Sequence, residues 1–175
     1  MSKLATGILA VSLVAGLTGS AIAATAAANL QVTATVSAAC TATTTDLAFG
    51  TYNPIAGANH DATGTVSATC TSGTDYNIAL NAGTNPSTAG DVMTRRMKDA
   101  GSNYLSYQIY LDNTRSTVWG DGTSGVLNPS NSTFFTGTGS AQSYTAYGRI
   151  PVTAGNTAAP EGSYTDTVVV TVTTN

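Results

Sequence analysis

Residues 64–70 read Gly-Thr-Val-Ser-Ala-Thr-Cys and residues 76–81 read Tyr-Asn-Ile-Ala-Leu-Asn. In the first run Gly64, Val66, Ala68 and Cys70 alternate with Thr65, Ser67 and Thr69. In the second, Tyr76, Ile78 and Leu80 alternate with Asn77, Ala79 and Asn81. A period of two sends successive side chains to opposite faces of a strand, so each run reads as a strand with one face in a core and the other in water. The period continues outward in both directions. Leu30, Val32, Ala34 and Val36 alternate with Gln31, Thr33 and Thr35; Tyr107, Ile109 and Leu111 share a face; and Val168, Val170 and Val172 share one within residues 164–173. That last run is expected to form a central strand with its three valines in the core. No segment after the N-terminal leader sustains a 3.6-residue apolar period.

Between these runs lie Asn53-Pro54, Asn85-Pro86, Gly120-Asp121-Gly122, Asn128-Pro129 and Pro160-Glu161-Gly162, all residues suited to tight reversals. Short strands separated by such turns predict an all-β sandwich or barrel rather than a βαβ fold. Residues 93–99, MTRRMKD, are the one segment that could form a helical turn, and a basic edge strand or loop is the preferred reading. No internal repeat of 20–50 residues and no linker composition divides the chain.

The N-terminus carries Lys3, then an uncharged apolar run over residues 4–17, then Ala21-Ile22-Ala23. A positive residue, a short apolar run and an A-x-A motif describe a secretory signal peptide, residues 1–23, cut before Ala24. The run is short for a membrane span. The remaining 152 residues suffice for one domain with a real core. Losing Lys3 changes the formal charge from −3 to −4, which offers no basic footprint for nucleic acid or anionic lipid. Thr supplies 30 of those 152 residues, so the surface is polar through hydroxyls instead of charges. Thr is also β-branched and favours strands. The only cysteines, Cys40 and Cys70, suggest a disulfide in an exported chain; a redox or metal pair is disfavoured without a C-x-x-C spacing and with one histidine.

Catalytic chemistry finds little to use. A nucleophile needs a base beside it, and the only histidine, His60, reads as a solvated residue of a polar loop. Asp46, Asp61, Asp75, Asp91, Asp99, Asp112, Asp121, Glu161 and Asp166 are scattered, mostly in turns where Asp is an ordinary cap. Residues 121–125, Asp-Gly-Thr-Ser-Gly, lack the register and closing Glu of a calcium loop. Trp119, Tyr104, Tyr107 and Tyr110 could stack on sugars, although core and strand-pairing roles are more usual. No enzyme activity and no cofactor are expected.

The alternating segment 30–36 starts close to the expected new N-terminus and precedes Cys40. Such a strand could pair outside its own domain by adding to an exposed sheet edge. It could equally be the first strand of its own sheet, and the pattern alone leaves both open.

Several longer stretches carry a family likeness: VSATC at 66–70, YNIALNAG at 76–83, YLSYQIYLD at 104–112, VWGDG at 118–122, YGRIP at 147–151 and GSYTDTVVVTV at 162–172. In this order, after an alternating extension, they resemble the spore coat protein U domain family, which includes the major subunits of archaic chaperone–usher pili. The resemblance covers essentially all of the mature chain. It implies an incomplete immunoglobulin-like β-sandwich, residues 38–175, completed by a donor strand from a neighbouring subunit. It further implies that residues 24–37 are the donor extension, with Ala28, Leu30, Val32, Ala34 and Val36 on its inserted face, and that Val168, Val170 and Val172 line the receiving groove. The disulfide Cys40–Cys70, a periplasmic chaperone, an outer-membrane usher and other pilin copies as partners follow from the same likeness. So does an extracellular fibre supporting adhesion and biofilm formation. Full burial of Leu30 and Val32 would contribute roughly 1.5–3 kcal/mol each, and Ala34 less. A spore or surface coat without a pilus is the alternative, as is a sugar-binding tip adhesin, although 152 residues leave little room for a separate receptor domain.

Overall fold

Alternation becomes strand pairing most plainly in β2, His60–Cys70, whose inward residues Gly64, Val66, Ala68 and Cys70 are buried. The structure is a computed structural model that describes residues 24–128 and 134–175. The expected signal peptide and Pro129 lie outside the described residues. The chain divides into two units, Met1–Thr35 and Val36–Asn175. Of the first, residues 24–35 are described and contain no helix or strand.

The second unit is an all-β, immunoglobulin-like sandwich of antiparallel sheets. On one side β1 (Cys40–Thr45), β2, β8 (Ala141–Ile150) and β6 (Gln108–Tyr110) form a sheet in the order β1-β2-β8-β6. On the other, β7 (Phe135–Thr136), β3 (Asp75–Leu80) and β9 (Val170–Thr174) form a sheet in the order β7-β3-β9. A small hairpin pairs β4 (Arg96–Lys98) with β5 (Tyr104–Ser106). The helix α1, Ala154–Thr157, spans four residues, capped by Thr153. The two sheets close on one cluster in which Tyr76, Ile78 and Leu80 of β3 meet Val66, Ala68, Ala146 and Ile150 of the opposite sheet. The Tyr76 and Tyr144 hydroxyls share a 2.9 Å hydrogen bond across the core, and Phe135 stacks on Tyr144 with centroids 4.4 Å apart.

Cys40 and Cys70 are register partners on β1 and β2, and a disulfide joins them. The turn chemistry acts locally as expected at Asn53, whose side chain accepts from the Ile55 amide and starts a 3-10 turn, Pro54–Ala56. Residues 93–99 divide between a 3-10 turn, Val92–Thr94, and β4.

Two expectations need correction. Residues 164–173 do not form one central strand. Only β9 is a strand; it pairs with β3 alone, and residues 164–169 precede it with a single bridge between Thr165 and Lys98. A central strand needs a ladder on both edges, and among the described residues β9 has one on a single edge. His60 is not a solvated loop residue. It opens β2, donates from Nε2 to the Phe49 carbonyl at 2.6 Å in that tautomer, and packs edge-on to Tyr52. Its place in a polar sequence concealed a partner eleven residues away.

The interior also holds a cation that the pattern of alternating residues did not reveal. Arg95 is 1% exposed. Its Nε and Nη2 donate to the Asn81 carbonyl at 3.0 and 2.7 Å, Nη2 also reaches the Leu80 carbonyl, and Nη1 donates to Gln108 Oε1 and the Trp119 carbonyl. The planar fork thereby ties β3's end, β6 and the Trp119 segment together. Desolvation pushes the Arg95 pKa down to about 10, still leaving the side chain charged at neutral pH. Trp119, fully buried, donates from Nε1 to the Ile78 and Leu127 carbonyls. Arg95→Lys keeps the charge but cannot present a planar fork, so some of these carbonyls lose their donor. The expected cost is about 2–4 kcal/mol, read from urea denaturation of the purified subunit.

Candidate functional site

The interface between the sheets closes fully on one side and stays open on the other. There a cleft of about 1070 Å³ runs between residues 44–52 and residues 159–170. Its floor is apolar, built from Val66, Leu80, Leu105, Ile109, Ala146 and Ile150. β1 lies against β9 at one end, and the cleft opens from there.

Outside β1 and β9 neither wall is a regular strand, and the first turns at Gly50, where φ is +67°. Along the first, among the described residues, 47–51 make no backbone–backbone hydrogen bond. The Phe49 carbonyl is held by His60, and the side chains carry the rest of the attachment. Leu47 and Phe49 lie over Gly148, where a Cβ would come within 2.5 Å of Leu47 Cδ2 and 2.9 Å of Phe49 Cζ. Gly148 is therefore a notch in the sheet that seats this wall, and any side chain there would lift it.

Along the second wall, backbone groups alternate between two edges as in any strand. Thr165 exchanges two bonds with Lys98; the Val169 carbonyl accepts from the Asn81 amide; the Thr167 carbonyl accepts from Thr84 Oγ1. All three face away from the cleft. The amides and carbonyls of Asp166 and Val168 have no backbone–backbone partner among the described residues, and alternation along the run would turn them the other way. The cleft is thus an apolar trough between two edges, each presenting unpaired peptide groups.

Asp166 fixes the second wall. Its Oδ2 accepts from the Tyr107 hydroxyl at 2.7 Å, and Oδ1 accepts from the Thr84 amide at 2.8 Å and from Asn85 Nδ2 at 3.3 Å. Burial and the neighbouring carboxylate push the Tyr107 hydroxyl well above the usual phenol range, so it remains a donor. The approach is close: a Cβ on Gly83, which sits at φ +80°, would lie 2.0 Å from Asp166 Oδ2. In sequence Asp166 is one of nine scattered acids, and nothing local marks it as an anchor.

Val168 and Val170 line the cleft, whereas Val172 packs on the core cluster beyond its end. In the extension Leu30 is 88% and Val32 83% exposed, and Ala28 and Ala34 are exposed as well. Val36, the first residue of the second unit, is 83% exposed and also lies outside any strand. Elsewhere the candidate chemistry serves structure. Asp121 accepts from the Thr123 and Ser124 amides in a turn. Arg96 lies over the Tyr104 ring, 4.0 Å from its centroid. Among the described residues no group of three His, Cys, Asp or Glu side chains could hold a metal ion, and no helix is long and apolar enough to cross a membrane.

Residues 26–171, which include both walls of the cleft and the cystine, match the Spore Coat Protein U domain. The chain belongs to the Spore Coat Protein U domain family. It is 40% identical to Protein U of Myxococcus xanthus over 188 aligned residues, covering 99% of each chain. Its fold is similar to a chain in the crystal structure of the CsuC–CsuE chaperone–tip adhesion subunit pre-assembly complex from the archaic chaperone-usher Csu pili of Acinetobacter baumannii. That likeness has a TM-score of 0.53 and 26% identity, and covers 79% of this chain and 40% of the other.

Two substitutions probe the second wall of this Spore Coat Protein U domain. Asp166→Ala removes the acceptor for Tyr107 and Thr84, and is expected to cost about 2–3 kcal/mol with faster proteolysis between residues 160 and 169. Val170→Asp places an unpaired charge against the floor. Its expected outcome is loss of folded subunit from the exported fraction, measured by immunoblot and circular dichroism.

Proposed function

We propose that this protein is a structural subunit of a surface pilus, in which the cleft of one subunit receives the N-terminal extension of the next. The observation that carries the reading is the pair of unpaired backbone edges flanking an apolar floor. A single inserted strand could hydrogen-bond to both edges and place alternate apolar side chains on the floor. The chain supplies such a strand in residues 24–37, with Ala28, Leu30, Val32, Ala34 and Val36 as the inserted face. Those side chains are exposed in the single chain, and insertion would bury them.

Covalent reach argues that the extension serves another copy. Ala39 exchanges backbone and side-chain hydrogen bonds with Thr71, so the chain enters β1 at the end opposite the cleft walls. To return, it would have to reverse and retrace the six residues of β1. Retracing the strand and making the tightest hairpin turn consumes about eight residues. Residues 32–39 would be spent before the cleft was reached, leaving most of the apolar set outside it. Insertion into a second subunit has no such limit, and a heterologous contact that does not close generates a filament.

An open apolar cleft is an aggregation hazard before assembly. A periplasmic chaperone that covers it, and an outer-membrane usher that exchanges chaperone for donor strand, are the partners this reading requires. The chaperone–subunit complex among the similar structures supports the first of them. Assembly would place the fibre outside the cell, where it would serve adhesion and biofilm formation. A surface coat built from the same subunits is the second reading, favoured by the match to the Spore Coat Protein U domain.

Leu30→Asp/Val32→Asp leaves the cleft intact and charges the donor face. Co-expressed with the chaperone, the variant is expected to form soluble chaperone complex at the normal level and no heat-resistant polymer. Normal polymer from this variant would refute strand exchange. Electron microscopy of cells making the unaltered protein separates discrete fibres from a continuous coat.

A further inference from the structure

The outer face of the four-stranded sheet carries a regular array of hydroxyls in cross-strand register. Thr43, Ser67 and Ser143 form one row across β1, β2 and β8; Thr45, Thr65 and Thr145 form the next; Thr41 and Thr69 form a third that ends on Ala141. Strand geometry spaces these positions at about 4.8 Å across the sheet and about 6.8 Å along it. Ser67 and Ser143 are bonded to each other at 2.7 Å, and the Thr65 amide donates to Thr45 Oγ1. The array contains no charged residue. The next row holds Thr63, Tyr147 and Tyr110, and ionic groups begin one row beyond it, where Asp61 and Arg149 are register partners joined by two hydrogen bonds.

We propose that this face is where assembled filaments lie side by side, each array meeting the same array on a second copy of this chain. The inference rests on the fibre reading above. Each hydroxyl both donates and accepts, so the surface is complementary to itself under a two-fold rotation, as an isologous contact requires. The chain carries a formal net charge of −3, yet this patch brings no like charges together. It also offers no aromatic platform within the three rows on which a sugar ring could stack.

The size of the patch decides when it works. Three strands by about five residues cover roughly 250 Å². A stable interface needs about 800 Å² per partner, so two isolated subunits should not dimerise through this face. A filament repeats the patch once per subunit, and repetition turns a weak contact into a stable one. Bundling is therefore a property of the polymer. It should strengthen with salt, because salt screens the net negative charge of the filaments and there are no ion pairs in the contact to weaken.

The test uses purified filaments of the full-length exported protein, wild type against Ser143→Lys/Thr145→Lys, with Ser143→Thr/Thr145→Ser as the variant that keeps every hydroxyl. Thr43→Lys, on a different strand, guards against a folding defect in the double variant. Negative-stain microscopy and low-speed sedimentation at about 20 and 150 mM salt read the outcome. Expected are multi-filament ribbons for wild type and for the hydroxyl-retaining variant, more of them at the higher salt. Both lysine variants should form single filaments of normal length, with the pelleted fraction down about five-fold or more. Lysine variants that bundle like wild type overturn the proposal. So do wild-type filaments that stay single, including single filaments retained by cellulose or chitin, which would assign the face to a glycan. Filaments that never form overturn the fibre reading as well, whereas unbundled filaments leave that reading intact.

Discussion

Peptide groups at a sheet edge must find partners, and this sandwich leaves two such edges facing one another across an apolar trough. Among the described residues, 47–51, Asp166 and Val168 have no backbone–backbone partner, and the floor between them is Val66, Leu80, Ile109 and their neighbours. Either feature alone would be unremarkable, since edges are commonly solvated and apolar patches commonly small. Together they define an apolar trough flanked on both sides by peptide groups without backbone partners among the described residues. The seating of both walls can be understood from that trough.

Keeping such a cleft open requires rigidity elsewhere, because an unfilled apolar seam gains by collapsing. The surrounding structure supplies it through polar contacts more than through apolar bulk. The Arg95 fork binds four acceptor groups on three segments behind the floor. Asp166 ties the second wall to Tyr107 and to the turn at Gly83. The first wall rests on side chains seated over Gly148, with His60 holding the Phe49 carbonyl. The cystine clamps β1 to β2 at the end where the extension begins. Closing a loop of 30 residues limits the unfolded chain by about 3–4 kcal/mol on the loop-entropy view. An incomplete sandwich gains more from such a clamp than a closed one.

The same economy of charge shapes the exterior. Hydroxyls in place of ions leave the outer face of β1, β2 and β8 able to meet a copy of itself, while the Asp61 ion pairs with Arg149 and Arg115 gather charge at one end. Arg149 donates to the Asp61 carboxylate and, with Arg115 beside it, holds its pKa below the usual carboxylate value. These pairs are partly exposed and contribute little to stability. Their consequence is where charge is absent.

Period-two alternation was sufficient to find β2, β3 and the buried faces of both, because a half-buried strand must alternate whatever it packs against. The cysteine count and the longer motifs carried the disulfide and the family. Sequence also singled out residues 30–36 as a strand-like segment with an apolar face, but not whether it belonged to its own sheet. Other features could not be read locally, because they depend on partners far along the chain. Arg95 reads as one of two adjacent basic residues until Leu80, Asn81, Gln108 and Trp119 converge on it. Asp166 reads as a turn acid until Tyr107, 59 residues away, donates to it. Residues 164–173 alternate like a central strand, yet only from Val170 onward do they form a strand, and among the described residues it pairs with β3 alone. Alternation reports which side chains face a core; it is silent on whether a neighbouring strand exists, because that depends on hydrogen bonds to a segment the local sequence does not contain. The sequence by itself determined β2, β3 and their inward faces. Only the tertiary structure decided that β1 and β8 flank β2 and that an apolar cleft lies between residues 44–52 and 159–170, because strand pairing depends on hydrogen bonds to segments far along the chain.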